Sequence, residues 1–273
     1  MATFRGPVRP VRPPTHVLHP VVVSAVAAAR TVVASVVTLL YVACAAPVGL
    51  FFGGVLRWKT GMFALGHAGV RLALATSGIR YRVTGLDQVP AKGAVVFCAN
   101  HESNVDPPVL FTVLHPCLHV LYKAELRFPL VRTIFDVGGF VPIERGNRDR
   151  AMASISRGAQ ALRSGSSFLI FPEGTRSRTG ELLAFKKGGI IMAIEAQVPL
   201  VPVAILGGRD AMGKGSALIR PAMLSVRIGA PIPTAGLTID DREAVSRRVR
   251  AAVQGLLSQG PVQEEADPQR RTG

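Results

Sequence analysis

Apolar residues recur along this chain in two different patterns. Residues 31–56 contain no Asp, Glu, Lys or Arg, and a helix of that length spans about 39 Å, enough to cross a hydrocarbon core of about 30 Å. From residue 79 onward the apolar stretches are short, rich in β-branched residues and separated by polar loops. The first pattern predicts a hydrophobic helix, and the second predicts buried strands.

Seven short apolar runs after residue 79 predict the strands of one sheet, because helical patterns lie between several of them. Apolar residues recur at helical spacing from Met152 to Leu162, and Asp240, Asp241 and Glu243 open a further helix. The fold class is therefore predicted as α/β, with a mainly parallel or mixed central sheet flanked by helices and a hydrophobic helical segment at the N-terminus. The predicted strands are IRYRVTG, GAVVFCAN, CLHVLYK, GFVPI, SSFLIFP, PLVPVAIL and MLSVRIG.

The change of pattern near residue 79 divides the chain into predicted regions. Residues 1–78 are expected to form a membrane-associated segment, with a hydrophobic helix at about 31–56 and an amphipathic helix at about 60–78. Residues 79–259 would form the α/β domain, and residues 260–273 a disordered tail.

The hydrophobic segment has competing interpretations. A cleaved signal peptide would also place basic residues before an apolar run, and a buried core helix would also be apolar. Both fit less well, because the stretch is longer than either requires. The helix at 60–78 fits a position in the membrane surface and, almost equally, packing on the globular domain.

Charge changes the picture at the N-terminus. The formal net charge is +15, and nine Lys or Arg residues precede the first acidic residue, Asp87. Such a basic region attracts a polyanion, either nucleic acid or an anionic membrane surface. Only 6% of residues are aromatic, so a base-stacking platform for nucleic acid is not expected. The three cysteines form no spaced pattern and are predicted to be buried free thiols without a metal.

Candidate catalytic residues follow the run GAVVFCA. His101 and Asp106 lie on either side of one short loop, and Pro107 and Pro108 follow directly. The prolines predict a helix start with Asp106 at its N-cap. The loop would also let the carboxylate fold back onto one imidazole nitrogen, which leaves the other free to accept a proton. A capping role alone remains the competing interpretation of Asp106.

Cationic residues stand at three other strand ends. Lys123 ends one run, Arg145 follows GGFVPI, and Arg176 lies in FPEGTRS at residues 171–177. Ligands of open α/β folds gather at the carboxyl ends of strands, and guanidinium groups match phosphate. These positions therefore predict a phosphate-binding site beside His101.

Four blocks in this order resemble the motifs of the glycerolipid acyltransferases, and the chain looks like a 1-acylglycerol-3-phosphate acyltransferase. The blocks are Asn100-His101 with Asp106, GGFVPIERG, FPEGTRS and VPLVPVAI. The resemblance covers about residues 80–230. Glu144 stands where many members carry Asp, and we expect little consequence from that difference.

The resemblance implies transfer of a fatty acyl group from acyl-CoA or acyl carrier protein to the sn-2 hydroxyl of lysophosphatidate. It implies His101 as general base, Asp106 as its orienting group, and Arg145 and Arg176 on the acceptor phosphate, with Lys123 assisting. The remaining FPEGTRS positions, Glu173, Gly174 and Thr175, would shape the acceptor site. No cofactor or metal is implied beyond the acyl donor, and backbone N–H groups would hold the oxyanion.

The implied location is the cell membrane, with the catalytic domain on the cytoplasmic face, where the donors are found. The expected partners are the phospholipid bilayer, the acyl donor and lysophosphatidate, without nucleic acid. A family member that acts on another lysophospholipid, glycerol-3-phosphate or a glycolipid is the main alternative. A non-catalytic, membrane-bound polyanion binder is a further one.

Overall fold

The computed structural model describes residues 20–125, 128–144 and 148–263. Seven strands form one mixed sheet in the order β1-β7-β6-β2-β5-β3-β4, and only the β6–β7 pair is antiparallel. The predicted α/β class is confirmed, and each of the seven predicted runs contains a strand. The strands are β1 (Ile79–Thr84), β2 (Val96–Ala99), β3 (Leu118–Lys123), β4 (Val141–Ile143), β5 (Ser167–Ile170), β6 (Leu200–Leu206) and β7 (Ala222–Ile228).

Helices cover both faces of the sheet. One core forms between the sheet and α5, α6 and α8, and a second forms between the sheet and α2 and α3. Short 3₁₀ turns at Leu86–Gln88 and Ile239–Asp241 complete the described elements. The helices are α1 (Pro20–Leu50), α2 (Lys59–Ser77), α3 (Asp106–Val113), α4 (Pro129–Gly138), α5 (Arg148–Arg163), α6 (Gly188–Ala196), α7 (Gly208–Met212) and α8 (Arg242–Ser258).

Strand β2 lies at the centre of the sheet and shows why its sequence is apolar throughout. Val96 and Cys98 point into one core, while Phe97 and Ala99 point into the other. Successive side chains of a strand alternate between faces, so a strand covered on both sides needs apolar residues at every position. Burial of a side chain the size of Phe97 contributes about 1.5–3 kcal/mol.

The hydrophobic helix begins earlier than predicted, because α1 starts at Pro20 and includes Arg30. It continues into a π-helical turn at Phe51–Val55, where Gly53 and Gly54 lie. The segment Ser24–Val55 is long and apolar enough to cross a membrane, judged by length and composition, and 17% of its most apolar window is buried. The remaining surface of α1 exposes a series of large apolar side chains: Val26, Val32, Val33, Val36, Leu39, Leu40 and Val48.

Helix α2 packs against the α/β domain as well as against α1. The Tyr41 hydroxyl of α1 donates to the Leu65 carbonyl at 2.8 Å, and Leu74 of α2 belongs to one of the two cores. Helix α2 therefore packs on the domain, and a position in the membrane surface stays a prediction.

Three local expectations need correction. Helix α3 begins with Val105 as its N-cap, and the Asp106 carboxylate bonds to the preceding loop instead of capping the helix. Cys98 is buried, as expected, but Cys44 is exposed because it lies on the outer face of α1. The predicted tail starts with residues held against β7, where the Val262 N–H donates to the Ser225 hydroxyl at 3.0 Å. Residues 264–273 lie outside the described part of the chain.

Candidate active site

The carboxyl end of β2 is fixed by a side chain that continues the strand pairing. The Asn100 amide donates to the Ile205 carbonyl at 2.8 Å, and its oxygen accepts from the Ile205 N–H at 2.7 Å. Asn100 is 2% exposed, so both bonds are shielded from water. This pair joins β2 to β6 and determines where the next residue, His101, leaves the sheet.

His101 and Asp106 form a hydrogen-bonded pair. His101 Nδ1 lies 2.9 Å from Asp106 Oδ2, and the same oxygen accepts from the backbone N–H groups of Glu102 and Ser103, both at 2.7 Å. Asp106 is fully buried. Since an ionised carboxylate can only accept, the proton of the imidazole is assigned to Nδ1, and Nε2 keeps its lone pair.

The remaining contacts of the pair restrict its orientation further. The His101 ring stacks on Phe171, with ring centroids 4.2 Å apart and planes 26° apart. Asp106 lies close to the start of α7, because a Cβ at Gly208 would come within 2.2 Å of Asp106 Oδ1. Glycine is therefore required at that position, and the imidazole cannot turn freely.

The FPEGTRS loop, at residues 171–177, holds the main chain of the base. Glu173 accepts from the His101 N–H at 2.8 Å, and the Ser177 N–H donates to the His101 carbonyl at 2.8 Å. The other Glu173 oxygen accepts from the Leu183 N–H at 2.9 Å. Burial raises the pKa of Glu173, and the two backbone N–H groups oppose that rise. Glu173 is 3% exposed and both of its oxygens accept from backbone N–H groups. It therefore shapes the site by holding the backbone, a role called a brace below.

The centre of the same loop is also held by lysine side chains. Gly174 has a φ of +68°, and a Cβ there would meet the Lys186 side chain at 2.8 Å. The Lys214 ammonium donates to the Thr175 hydroxyl at 3.0 Å and to the Arg176 carbonyl at 2.8 Å. The glycine is thus required for its backbone conformation and for close approach. No sequence pattern indicated a role for Lys214, which lies between α7 and β7.

Arg176 is the predicted cation that the structure places most clearly. Its Nη1 atom is shielded from solvent and has no hydrogen-bond partner within the described residues. A guanidinium nitrogen in that position is costly unless an acceptor reaches it, and a phosphate oxygen is such an acceptor. Arg176 lies one residue before Ser177, whose N–H donates to the His101 carbonyl. This backbone hydrogen bond joins the loop that carries the cation to the loop that carries the base.

The other two predicted cations are placed only in part. Lys123 is the last residue of β3, where it pairs with Ile143 of β4. That position is at the carboxyl end of a strand beside β5, as expected. Arg145 lies outside the described residues.

Glu102 is a neighbour of the pair that the sequence did not single out. Burial raises the pKa of its carboxyl group to about 7, the nearby Asp106 charge adds to the rise, and Arg209 opposes it. Its position directly after His101 was visible in the sequence, but its burial depends on packing against α7 and the loop after residue 177.

Comparison with known proteins shows which proteins the chain resembles. The family model named Acyltransferase matches residues 80–206. The chain is 33% identical over 175 residues to the 1-acyl-sn-glycerol-3-phosphate acyltransferase alpha of Homo sapiens, which covers 63% of this chain and 62% of the relative. It is also 33% identical over 144 residues to the 1-acyl-sn-glycerol-3-phosphate acyltransferase of Borreliella burgdorferi, covering 52% of this chain and 58% of the relative.

A solved structure shares the fold. The crystal structure of the 1-acyl-sn-glycerophosphate acyltransferase PlsC from Thermotoga maritima aligns with a TM-score of 0.65 and 23% identity, covering 86% of this chain and all of the other. The chain spans about three fifths of the length of the two curated relatives above. The resemblance to the glycerolipid acyltransferases drawn from the four motif blocks is confirmed by these matches.

Proposed function

We propose that this chain, which carries an Acyltransferase-family domain over residues 80–206, transfers a fatty acyl group from a thioester donor to the sn-2 hydroxyl of 1-acylglycerol-3-phosphate. The observation that carries the proposal is the pairing of His101 Nδ1 with the buried Asp106 carboxylate at 2.9 Å. The names of the relatives support the same reaction. The donor is acyl-CoA or acyl carrier protein.

The reaction follows from the state of the imidazole. His101 Nε2 accepts the proton of the acceptor hydroxyl as its oxygen attacks the thioester carbonyl, and Asp106 stabilises the resulting imidazolium. The tetrahedral intermediate collapses, the carbon–sulfur bond breaks, and the imidazolium returns its proton to the departing thiolate. Because a thioester already carries an activated acyl group, the reaction requires no cofactor and no metal beyond the donor.

The acceptor phosphate is assigned to the cationic side of the sheet. Arg176 offers a shielded guanidinium nitrogen without a partner among the described residues. Lys123 ends the neighbouring strand β3, and Arg145 follows β4 in the sequence. Strands β5, β3 and β4 are adjacent in the sheet, and this order supports the assignment.

We assign the enzyme to the cell membrane, with its catalytic domain on the cytoplasmic face, because the acceptor resides in the bilayer and the donors in the cytosol. The exposed apolar surface of α1 supports membrane association. The basic region before Asp87 would add attraction to anionic lipid, at about 1 kcal/mol for each Lys or Arg near the surface.

A panel of acceptors tests the proposal. The purified enzyme is expected to acylate 1-acylglycerol-3-phosphate in preference to other lysophospholipids, glycerol-3-phosphate and a glycolipid. Turnover on another acceptor, without incorporation into lysophosphatidate, would replace the acceptor and keep the chemistry. Absence of transfer to every acceptor, with both donors supplied, would overturn the proposed function.

The phosphate contact is tested by Arg176→Ala. Loss of a charge-assisted hydrogen bond is expected to raise the KM for the phosphorylated acceptor about tenfold or more, with little change in the KM for the donor. Arg178→Ala is the matched control, because Arg178 is an exposed arginine of the same segment. A rise in the donor KM alone would show that Arg176 does not bind the acceptor.

A further inference from the structure

A cleft opens beside the loop that carries the base. It has a volume of about 720 Å³ and lies between the end of β6, the segment Thr179–Leu182 and the C-terminal half of α8. Strand β6 borders β2 on the side opposite β5, β3 and β4. The segment Thr179–Leu182 follows the FPEGTRS loop closely in the chain, so the cleft adjoins that loop.

The cleft approaches the dyad through Glu102. This residue lines the cleft, follows His101 in the chain, and donates its backbone N–H to the Asp106 carboxylate at 2.7 Å. Acyl transfer needs two substrates at the same imidazole, and a cleft beside the loop that carries the base offers a position for the donor.

The charges in the cleft are centred on two arginines. Arg209 is exposed, and none of the ion pairs found among the described residues includes it. It lies over Gly180, where a Cβ would come within 3.1 Å of its Nη1 atom, so the glycine leaves space for the guanidinium. Arg250 donates to the Leu182 carbonyl at 2.8 Å and thereby fixes the wall of the cleft.

The other lining groups are of mixed character. Gln254 and Ser258 offer neutral hydrogen-bonding groups, and Leu182, Leu206 and Leu257 offer apolar surface. The cleft also contains the carboxyl groups of Glu102 and the exposed Glu181. Since the pKa of Glu102 is raised to about 7, it is partly neutral at neutral pH and repels an anion less than an ordinary carboxylate would.

We propose that this cleft binds the 4′-phosphopantetheine arm of the acyl donor, with the Arg209 guanidinium on the phosphate of the arm and the thioester end directed toward Glu102 and the dyad. The inference rests on the proposed acyl transfer. The arm combines a phosphate ester, two amides and a dimethyl-substituted carbon, which match an arginine, neutral polar side chains and leucines. Acyl-CoA and acyl carrier protein both carry this arm, so the assignment holds for either donor.

The test compares donors that differ only in the phosphate. The wild-type kcat/KM is measured with acyl-phosphopantetheine and with acyl-pantetheine of the same chain length, and is expected to be at least tenfold higher with the phosphorylated donor. Arg209→Ala should reduce that ratio to about one while leaving the KM for the acceptor unchanged. The matched control is Arg248→Ala, which removes the same charge from an exposed position of α8 that does not line the cleft. A ratio that Arg209→Ala preserves would overturn the proposal.

Two further experiments distinguish acyl-CoA from acyl carrier protein as the donor, and failure of the cleft assignment from failure of the proposed function. Arg209→Ala should raise the donor KM by a similar factor with acyl-CoA and with acyl carrier protein. An effect confined to acyl-CoA would place the nucleotide phosphates at Arg209 and overturn the assignment to the arm. If the wild type transfers to no acceptor, the proposed function fails. In that case calorimetric binding of 4′-phosphopantetheine that Arg209→Ala abolishes would still support the cleft, and no binding by the wild type would overturn it.

Discussion

The loop after β2 and the loop after β5 leave neighbouring strands at the same edge of the sheet, yet they use their polar residues differently. In the first loop, Asp106 is aimed at the ring of His101 and fixes its tautomer. In the second, both carboxylate oxygens of Glu173 accept from backbone N–H groups. In the same loop, Arg176 Nη1 is shielded from solvent and lacks a hydrogen-bond partner within the described residues. The comparison teaches that a carboxylate in a motif is not reactive by residue type alone. The hydrogen bonds of the carboxylate decide whether it orients a side chain or holds the backbone.

The two loops also depend on each other. The peptide groups on either side of the His101 Cα are held by the second loop, through Glu173 at the N–H and Ser177 at the carbonyl. The first loop therefore provides the base, and the second provides its position. A change at His101 should alter chemistry with little loss of stability, whereas a change at Glu173 should alter both.

The largest effect is expected from His101→Ala. Removal of a general base lowers the rate by about 10²–10⁴-fold, and the His101 side chain, although only 16% exposed, belongs to neither of the two cores. We expect kcat to fall within that range, with the thermal unfolding midpoint nearly unchanged. His115→Ala serves as the control, since it removes an imidazole from outside the site. Activity retained in His101→Ala would refute the base and favour the non-catalytic binder.

Asp106→Asn should follow in size. The amide keeps the volume of the side chain but removes the negative charge of the carboxylate, whose Oδ2 accepts from three N–H groups. The NH₂ group of the amide can also take the position that faces the imidazole, where it cannot accept a hydrogen bond. We expect kcat to fall about a hundredfold while the KM for both substrates changes little. Asp210→Asn, at an exposed position nearby, should retain activity. Equal activity of the two variants would show that Asp106 does not set the state of His101.

The strands and the dyad could be predicted because each depends on local pattern. A short, continuously apolar run such as that around Phe97 is typical of a strand buried on both faces, whichever strands it pairs with. A short loop followed by two prolines brings Asp106 back toward His101. Arg176 could be predicted as a cation near a strand end for the same reason, since it lies in the loop that follows β5. These features depend on neighbours within a few residues of the chain.

The hydrogen bonds that hold the loop of the base could not be predicted, because they join residues that only the strand order brings together. Asn100 bonds to Ile205 across the β2–β6 pair, and Glu173 bonds to His101 across the β2–β5 pair. The cleft at Arg209 and Arg250 likewise forms only when α8 packs beside β6. No local pattern encodes which strand lies next to β2, so the functions of these polar residues remained open.

Glu173→Gln tests the second loop. One carboxylate oxygen becomes an NH₂ group, so either the His101 N–H or the Leu183 N–H loses its acceptor. A buried donor left without a partner costs about 1–3 kcal/mol, and the shift of the base should lower kcat about tenfold. The free energy of unfolding and the kcat are measured together, with Glu195→Gln on α6 as the control. A loss of activity without any loss of stability would contradict the role of a brace.

The smallest effect is expected from Glu102→Gln, and it is a dependence on pH. The pKa of Glu102 is raised from 4.5 to about 7 in the folded protein, mainly by burial. Between these two pH values the folded state binds more protons than the unfolded state, so stability falls as the pH rises through that window. Glutamine does not ionise, so the variant should match the wild type near pH 4.5 and exceed it at pH 8. Because Glu102 is half-buried, solvent screening reduces the difference to about 1 kcal/mol. Denaturant unfolding at the two pH values measures it, and a difference that does not change with pH would show that Glu102 ionises normally. A pH-dependent difference would show that the carboxylate of Glu102, in the loop that carries the base, destabilises the folded protein when it is ionised. For the neighbouring carboxylate of Glu173, two backbone N–H donors oppose the effect of burial.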